Sequence, residues 1–339
     1  MLQNMGWGIG LYGWGLPFVL DVDDFKWYVG GEMFSLGASL YLTWKYTQGI
    51  NLPEARSQMQ RYGGVVGFHY GVALNRLLET EDRLPVMVLM AAVPAGTWAG
   101  DRLYRHWRPS TGQAYALALH AELGRSVLSL VHRQIDARPQ EPQFGDDTAS
   151  ERDLSWQKIN TVLQVAGYPL GTYLGHRLYG NRQYSFGDAA LLIVGRGAGA
   201  LYGFLLTDLL DFDFDEDNMG WRWLVMAGGL GGVAGMDRYM RSYDFTFGQA
   251  AMLTLGGVAG AAFAAGFGVI LEIDEVKYYE LAAIGGSLGG LVLTRRIVNP
   301  RLESSRAQGP ETGPQLNLAL QPMLVGGNFR PGLDLELRW

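Results

Sequence analysis

The stretch Ser185-Phe-Gly-Asp-Ala-Ala-Leu-Leu-Ile-Val-Gly-Arg-Gly-Ala-Gly-Ala-Leu-Tyr-Gly203 carries the two signals that decide the fold. It opens as a capping box: the Ser185 hydroxyl is placed to accept from the amide three residues on, and Asp188 to reach back to the Ser185 amide. Behind the box, Gly195, Gly199 and Gly203 fall every fourth residue, which puts them on one face of a helix. The same opening recurs at Asn51-Leu-Pro-Glu54, Ser110-Thr-Gly-Gln113 and Thr246-Phe-Gly-Gln249, each followed at once by Ala. Starts that recur in this way announce an internal repeat, and a repeat sets the architecture before any single residue is interpreted.

The pattern predicts helical hairpins. Their first helices are expected near 32–46, 84–106, 156–179 and 221–240, and their second helices near 52–78, 111–134, 186–210 and 247–271. An unpaired copy is expected at 279–297, and 7–20 reads as the end of an earlier second helix. Further four-residue glycine series lie at Gly63, Gly67 and Gly71, at Gly167, Gly171 and Gly175, and at Gly256, Gly260 and Gly268 with Ala264 between the last two. Glycine within a helix costs about 1 kcal/mol relative to alanine. Several in register therefore imply close helix–helix contact, the small-xxx-small solution of membrane helices.

Charge adds an independent regularity. Segments that follow the second helices are acidic: Asp21, Asp23 and Asp24, then Glu79, Glu81 and Asp82, then Asp211 to Asp217, then Glu272, Asp274 and Glu275. Turns expected inside the hairpins are basic: Lys45, then Arg102, Arg105 and Arg108, then Arg177 and Arg182, then Arg238 and Arg241. One end of the bundle is thus positive and the other negative, and the positive-inside rule places the basic turns in the cytoplasm. Favourable pairing of cations with helix C-termini accounts for part of the basic set without a membrane.

Composition agrees with an apolar bundle. Charged residues are 18% of the 339, below the roughly 25% of soluble proteins. The 48 glycines lie in apolar runs and not in linkers. A net charge of −6 disfavours a nucleic-acid partner, because no excess of Lys and Arg is available for phosphates. The absence of cysteine excludes disulfides, thiolate metal sites and cysteine nucleophiles. Residues 247–271 are long enough to span a bilayer and carry no charge, 189–206 carry only Arg196, and 84–100 and 159–175 sit at the lower length limit.

Residues 298–315 read as a linker. Beyond them, Leu333, Leu335 and Leu337 alternate with Asp334, Glu336 and Arg338, the period of a half-buried strand, so 316–339 are expected to form a β-hairpin. The tandem order of acidic loop, glycine-rich helix, [ST]-x-G-[QD]-A and second glycine-rich helix resembles uncharacterised repeat proteins of bacterial envelopes, over most of residues 20–300. That resemblance implies a bacterial envelope location and no activity, cofactor or site residue.

Motifs for chemistry are few. Gly285-Gly-Ser-Leu-Gly289 matches G-x-S-x-G, but it falls in a helical run and no histidine follows His176. Asp211, Asp213 and Asp215 have the opening spacing of a calcium loop, yet its sixth position is Glu216 and its twelfth is Arg222, which leaves them weak metal candidates. No P-loop or zinc-protease spacing occurs, so no catalytic residue and no cofactor is expected. Polar residues inside helices are the remaining candidates: His120 and Glu122 in one helix, and Arg196 near the same depth of the next, where Glu122 and Arg196 are expected to pair or to line a polar cavity. A local Glu122–Arg125 pair with Arg196 at the surface is the alternative.

The sequence thus points to an all-α, glycine-zipper helical-hairpin repeat bundle, membrane-embedded, with a short C-terminal β-hairpin. Its expected divisions are an N-terminal segment 1–24, repeats at 25–82, 83–150, 151–217 and 218–275 with a half repeat 276–297, a linker to 315 and the hairpin 316–339. The expected function is structural or scaffolding, in contact with the lipid bilayer and with a second copy or other membrane proteins. A channel or transporter is the second reading, and a soluble envelope repeat scaffold the third.

Overall fold

The computed structural model describes residues 6–48, 52–136, 147–212, 220–298, 301–302, 315–325 and 328–338. It is almost wholly helical. A π-helical turn at Gly8–Gly13 leads into α1 (Trp14–Val19). Then follow α2 (Phe25–Thr47), α3 (Glu54–Leu78), α4 (Leu84–Trp107), α5 (Thr111–Asp136) and α6 (Asp147–Tyr179). The series ends with α7 (Phe186–Leu209), α8 (Gly220–Met240), α9 (Phe247–Ile270) and α10 (Val276–Val298). Four of these, α4, α7, α9 and α10, are long and apolar enough to cross a membrane. A two-residue bridge joins β1 (Tyr243–Asp244) to β2 (Arg301–Leu302), and β3 (Gln315–Val325) runs antiparallel to β4 (Asn328–Arg338) with Leu318 opposite Leu335.

Local chemistry explains the helix starts. Ser185 and Thr246 each cap their helix, with the reciprocal bond from the third residue, Asp188 or Gln249, in place. Ser110 does the same for α5: its amide donates to Gln113 Oε1 at 2.7 Å and its hydroxyl accepts from the Gln113 amide at 3.3 Å. At α3 the start differs. Asn51 lies outside the described residues, and the helix begins at Glu54 behind Pro53, whose fixed φ suits the entry and which offers no capping side chain.

The helix ends share a device that the sequence reading did not identify. After α1, α3, α7 and α9 a leucine is followed by an acid with left-handed backbone: Asp21 (φ 62°), Glu79 (50°), Asp211 (55°) and Glu272 (52°). The next amide then bonds back five residues, as in Thr80 N to Asn75 O at 3.1 Å and Phe212 N to Thr207 O at 2.9 Å. That is the Schellman ending, with an acid where glycine is usual.

The pairing of helices corrects the expected phase. The closest partners are α3 with α4, α5 with α6, α7 with α8, and α9 with α10, and all of these pairs but α5 with α6 are joined across one of the acidic segments. Helices joined by the short basic turns, such as α4 and α5, make far less contact. The hairpin tips are therefore acidic, and the basic turns connect one hairpin to the next. Of the boundaries expected near 82, 150, 217 and 275, those near 82 and 275 fall between the two helices of a close pair, that near 150 falls just inside α6, and 217 lies outside the described residues. The physical reason is the backbone approach that glycine permits, which occurs across the acidic loops.

Successive hairpins stack side by side. Helices α3, α5, α7 and α9 follow one another in a row, and α3, α5 and α7 each also touch the second helix of the next hairpin, as α3 does α6 and α7 does α10. The best-buried residues come from the middle of this row: Ala114, Leu117 and Ala121 of α5, and Leu191 and Leu192 of α7, with Met240 and Leu253 against them.

Candidate functional site

The contact faces of the paired helices are lined by glycine. A Cβ added to Gly199 would lie 2.1 Å from the carbonyl oxygen of Gly228, and one on Gly228 would lie 2.2 Å from that of Gly199. The corresponding approach occurs at Gly63 to Gly96, Gly67 to Ala92, Gly171 to His120 and Gly260 to Gly286, each against backbone. Gly167 meets the backbone of Arg125, Gly195 that of Gly232, and Gly203 that of Leu224. The remaining candidates face side chains instead: Gly71 meets Leu89 and Ala92, Gly175 meets His120, Gly256 meets Thr294, and Gly268 meets the ring of Tyr279. At Gly71, Gly175 and Gly268 a side chain enters between the helices, whereas Gly256 also stands against backbone, its carbonyl oxygen 2.1 Å from a Cβ added at Gly290.

The capped ends of neighbouring hairpins are stitched together. Ser110 donates its hydroxyl to the carbonyl of Tyr184 at 2.9 Å, and Ser185 donates to that of Phe245 at 2.5 Å. The Phe245 amide donates to Asp188 Oδ1 at 2.9 Å, and Gln113 Nε2 donates to the carbonyls of Tyr179 and Arg182. Each box thus caps its own helix and holds the next hairpin. The second box position completes the fit, because Gly112 and Gly187 lie against the backbone of residues 184–185 and 245–246.

Two acid-centred clusters sit at the same end. Asp101 accepts from Arg56 Nε at 2.6 Å and Gln60 Nε2 at 3.0 Å, and pairs with Arg105 at 2.8 Å. Asp237 accepts from Arg182 and the Tyr184 hydroxyl, with Arg241 at 4.0 Å. Sequence reasoning missed both. The signal was present in Asp101-Arg-Leu-Tyr-Arg105 and Asp237-Arg-Tyr-Met-Arg241, which share an acid four residues before an arginine. At the acidic tips, ion pairs link successive hairpins: Arg83 with Asp21, Lys158 with Glu79, and Lys277 with Asp211.

The polar residues within the helices come together only in part. Glu122 pairs with Arg125 at 3.1 Å and not with Arg196, because the i,i+3 neighbour on its own helix is already within reach. His120 is set against Ala116 O through Nδ1 at 2.9 Å and against the Tyr179 hydroxyl through Nε2 at 3.3 Å; a proton on Nδ1 satisfies both bonds. Arg196 lines a cavity with Arg125, between α5, α7 and α8. A second cavity, of about 610 Å³, lies between the N-terminal segment, α2 and α4, walled by Trp7, Tyr12, Phe34 and Trp98 and reaching Asp101 at one end.

Of the metal candidates only Asp211 lies among the described residues. Asp211 is exposed and paired with Lys277, whereas Asp213 and Asp215 lie outside the described residues. Among the described residues no group of three His, Asp or Glu side chains converges as a metal site would require. Ser287 of the G-x-S-x-G match sits mid-way along α10 and is hydrogen-bonded to the Tyr202 hydroxyl at 2.6 Å, a helix-to-helix contact. Comparison with protein-family models, with curated proteins and with solved structures finds no match to this chain.

Proposed function

We propose that the chain is a multi-span scaffold of a bacterial envelope membrane, a lateral stack of glycine-zipper hairpins that presents acidic tips on one face and basic, capped turns on the other. The observation that carries this reading is the combination of apolar length with exposure. None of the most apolar 18-residue window of α10 is buried within the protein, and only 17% of that of α9 is. Phe263, Ile270 and Leu255 of α9 stand 77%, 75% and 67% exposed. A surface of this kind is unsuited to water and suited to acyl chains. The less apolar helix α5 lies within the row, where neighbours cover much of it, so many of its polar side chains need not face lipid.

Scaffolding is favoured over catalysis because the polar contacts are spent on holding hairpins to one another. The flat rows of acid and base on opposite faces offer extended surfaces for a second copy or for other membrane proteins. A channel or transporter is the second reading, favoured by the arginines that converge between α5, α7 and α8. The deciding experiment is an alkaline carbonate wash of membranes from expressing cells. The expected result is retention in the pellet and release by detergent alone. A folded helical protein in the supernatant refutes the membrane reading, and selective ion flux in reconstituted liposomes replaces the scaffold by the channel.

A further inference from the structure

Four guanidinium groups from three helices meet at one cavity. Arg125 and Arg133 come from α5, Arg196 from α7 and Arg222 from α8, and with Ser126 and Ser129 they line a space of about 350 Å³. Arg125, Ser129 and Arg133 follow at four-residue intervals along one face of α5, so the charge extends over about 12 Å of helix. Leu123, Leu130, Val225 and Met226 supply an apolar wall. Among the described residues no acidic side chain lines the space; Glu122, one turn away, is engaged by Arg125 at 3.1 Å. Arg222 lies over the ring of Trp221, its guanidinium carbon 5.2 Å from the centroid.

Arg196 lies within electrostatic reach of both Arg125 and Glu122, and an anion held among Arg125, Arg133 and Arg196 adds a favourable partner in this partly desolvated space. The planar fork of arginine matches the oxygens of phosphate two at a time, and serine hydroxyls donate to the oxygens that remain. We propose that this cavity binds a phosphate-type oxyanion, free in solution or carried as the headgroup of an anionic lipid. The volume suits a headgroup-sized anion, and the apolar wall suits the first carbons attached to it. The site goes beyond the scaffold reading and stands on side-chain placement alone, so it is testable in detergent whatever the outcome of the carbonate wash.

The test uses the full chain purified in a non-ionic detergent. Inorganic phosphate replaces chloride at constant ionic strength while thermal unfolding and titration calorimetry are followed. In parallel the protein is placed in nanodiscs of phosphatidylcholine with and without phosphatidylglycerol. A ligand that binds the folded state raises Tm as its concentration passes Kd. A rise with phosphate identifies a soluble anion, and a rise with phosphatidylglycerol alone identifies the lipid headgroup; either supports the site. Arg196→Gln and the more exposed Arg133→Gln each weaken binding about tenfold or more, as loss of a charge-assisted hydrogen bond requires, whereas Arg238→Gln on the opposite end leaves it unchanged. No response of the wild-type protein to either ligand overturns the proposal, and so does wild-type binding by both cavity variants.

Discussion

Two glycines on one helix give the sharpest test of the packing. Gly199 and Gly197 both lie within α7, two residues apart, but on different faces. A methyl group at Gly199 would sit 2.1 Å from the Gly228 carbonyl oxygen, about 1.3 Å short of ordinary contact at about 3.4 Å, and 2.8 Å from the Gly232 Cα. Both obstacles are backbone and cannot rotate away, so α7 and α8 must separate along the seam. Overpacking of this kind costs about 1–3 kcal/mol, and the upper end applies where nothing flexible can yield. A methyl group at Gly197 has no described heavy atom within 4 Å. There the better helix propensity of alanine adds stability of up to about 1 kcal/mol. Gly199→Ala and Gly197→Ala should therefore differ by about 2–4 kcal/mol although the chemical change is identical. The assay is reversible unfolding in mixed micelles, titrated with a denaturing detergent and followed by circular dichroism. Equal midpoints for the two variants would refute the seam, and with it the claim that glycine sets the distance between these helices.

Three further outcomes follow from the ends of the bundle. Ser185→Ala removes both a helix cap and the bond to the Phe245 carbonyl, and should cost about 2–4 kcal/mol in the same unfolding assay; Thr246→Ala, which loses a cap bond alone among the described contacts, should cost about 1 kcal/mol. Asp237→Asn keeps the shape but leaves the guanidinium of Arg182, itself only 17% exposed, without its carboxylate, and should lower stability by about 1–2 kcal/mol; an unchanged midpoint would remove the cluster from the account. Lys277→Met at an exposed tip should leave the thermal midpoint unchanged at physiological salt, because solvent and ions screen such pairs. A clear loss there would mean that the tip pairs stabilise the stack far more than exposed pairs normally do.

The second helices were legible in the sequence because their starts and the segments after them are marked. Ser110, Ser185 and Thr246 open three of them, and acidic residues from Glu79, Asp211 and Glu272 onward follow three, although the left-handed turn at those acids was not read from the sequence. Pairing is a different matter. Arg108-Pro-Ser110 and the Glu79–Arg83 loop are both short enough to close a hairpin, and length does not choose between them. The choice lies in glycine spacing: Gly260 and Gly286 each stand ten residues from the helix ends that flank their acidic loop, so they meet when the chain folds back there. Across the basic turn after α4, by contrast, Gly100 lies seven residues before Trp107 and Gly124 thirteen after Thr111, which puts them at different depths. The convergence of arginines was hidden for a related reason. Arg133 and Arg222 lie near the ends of helices far apart in the sequence, and only the lateral order of the hairpins brings them beside Arg125 and Arg196.

A row of glycines four apart fits a facing row in more than one way. Sliding α7 along α8 by four residues, about 6 Å, sets glycine against glycine again. The seams are therefore adhesive but poorly addressed. The two ends supply the address. A slip in one direction drags the left-handed acid at a tip, Asp211 or Glu79, into the apolar layer, and a slip in the other pulls Ser185 off the Phe245 carbonyl. Damage confined to the caps or the tips thus leaves a chain that is still helical and still paired, with its hairpins offset by one turn.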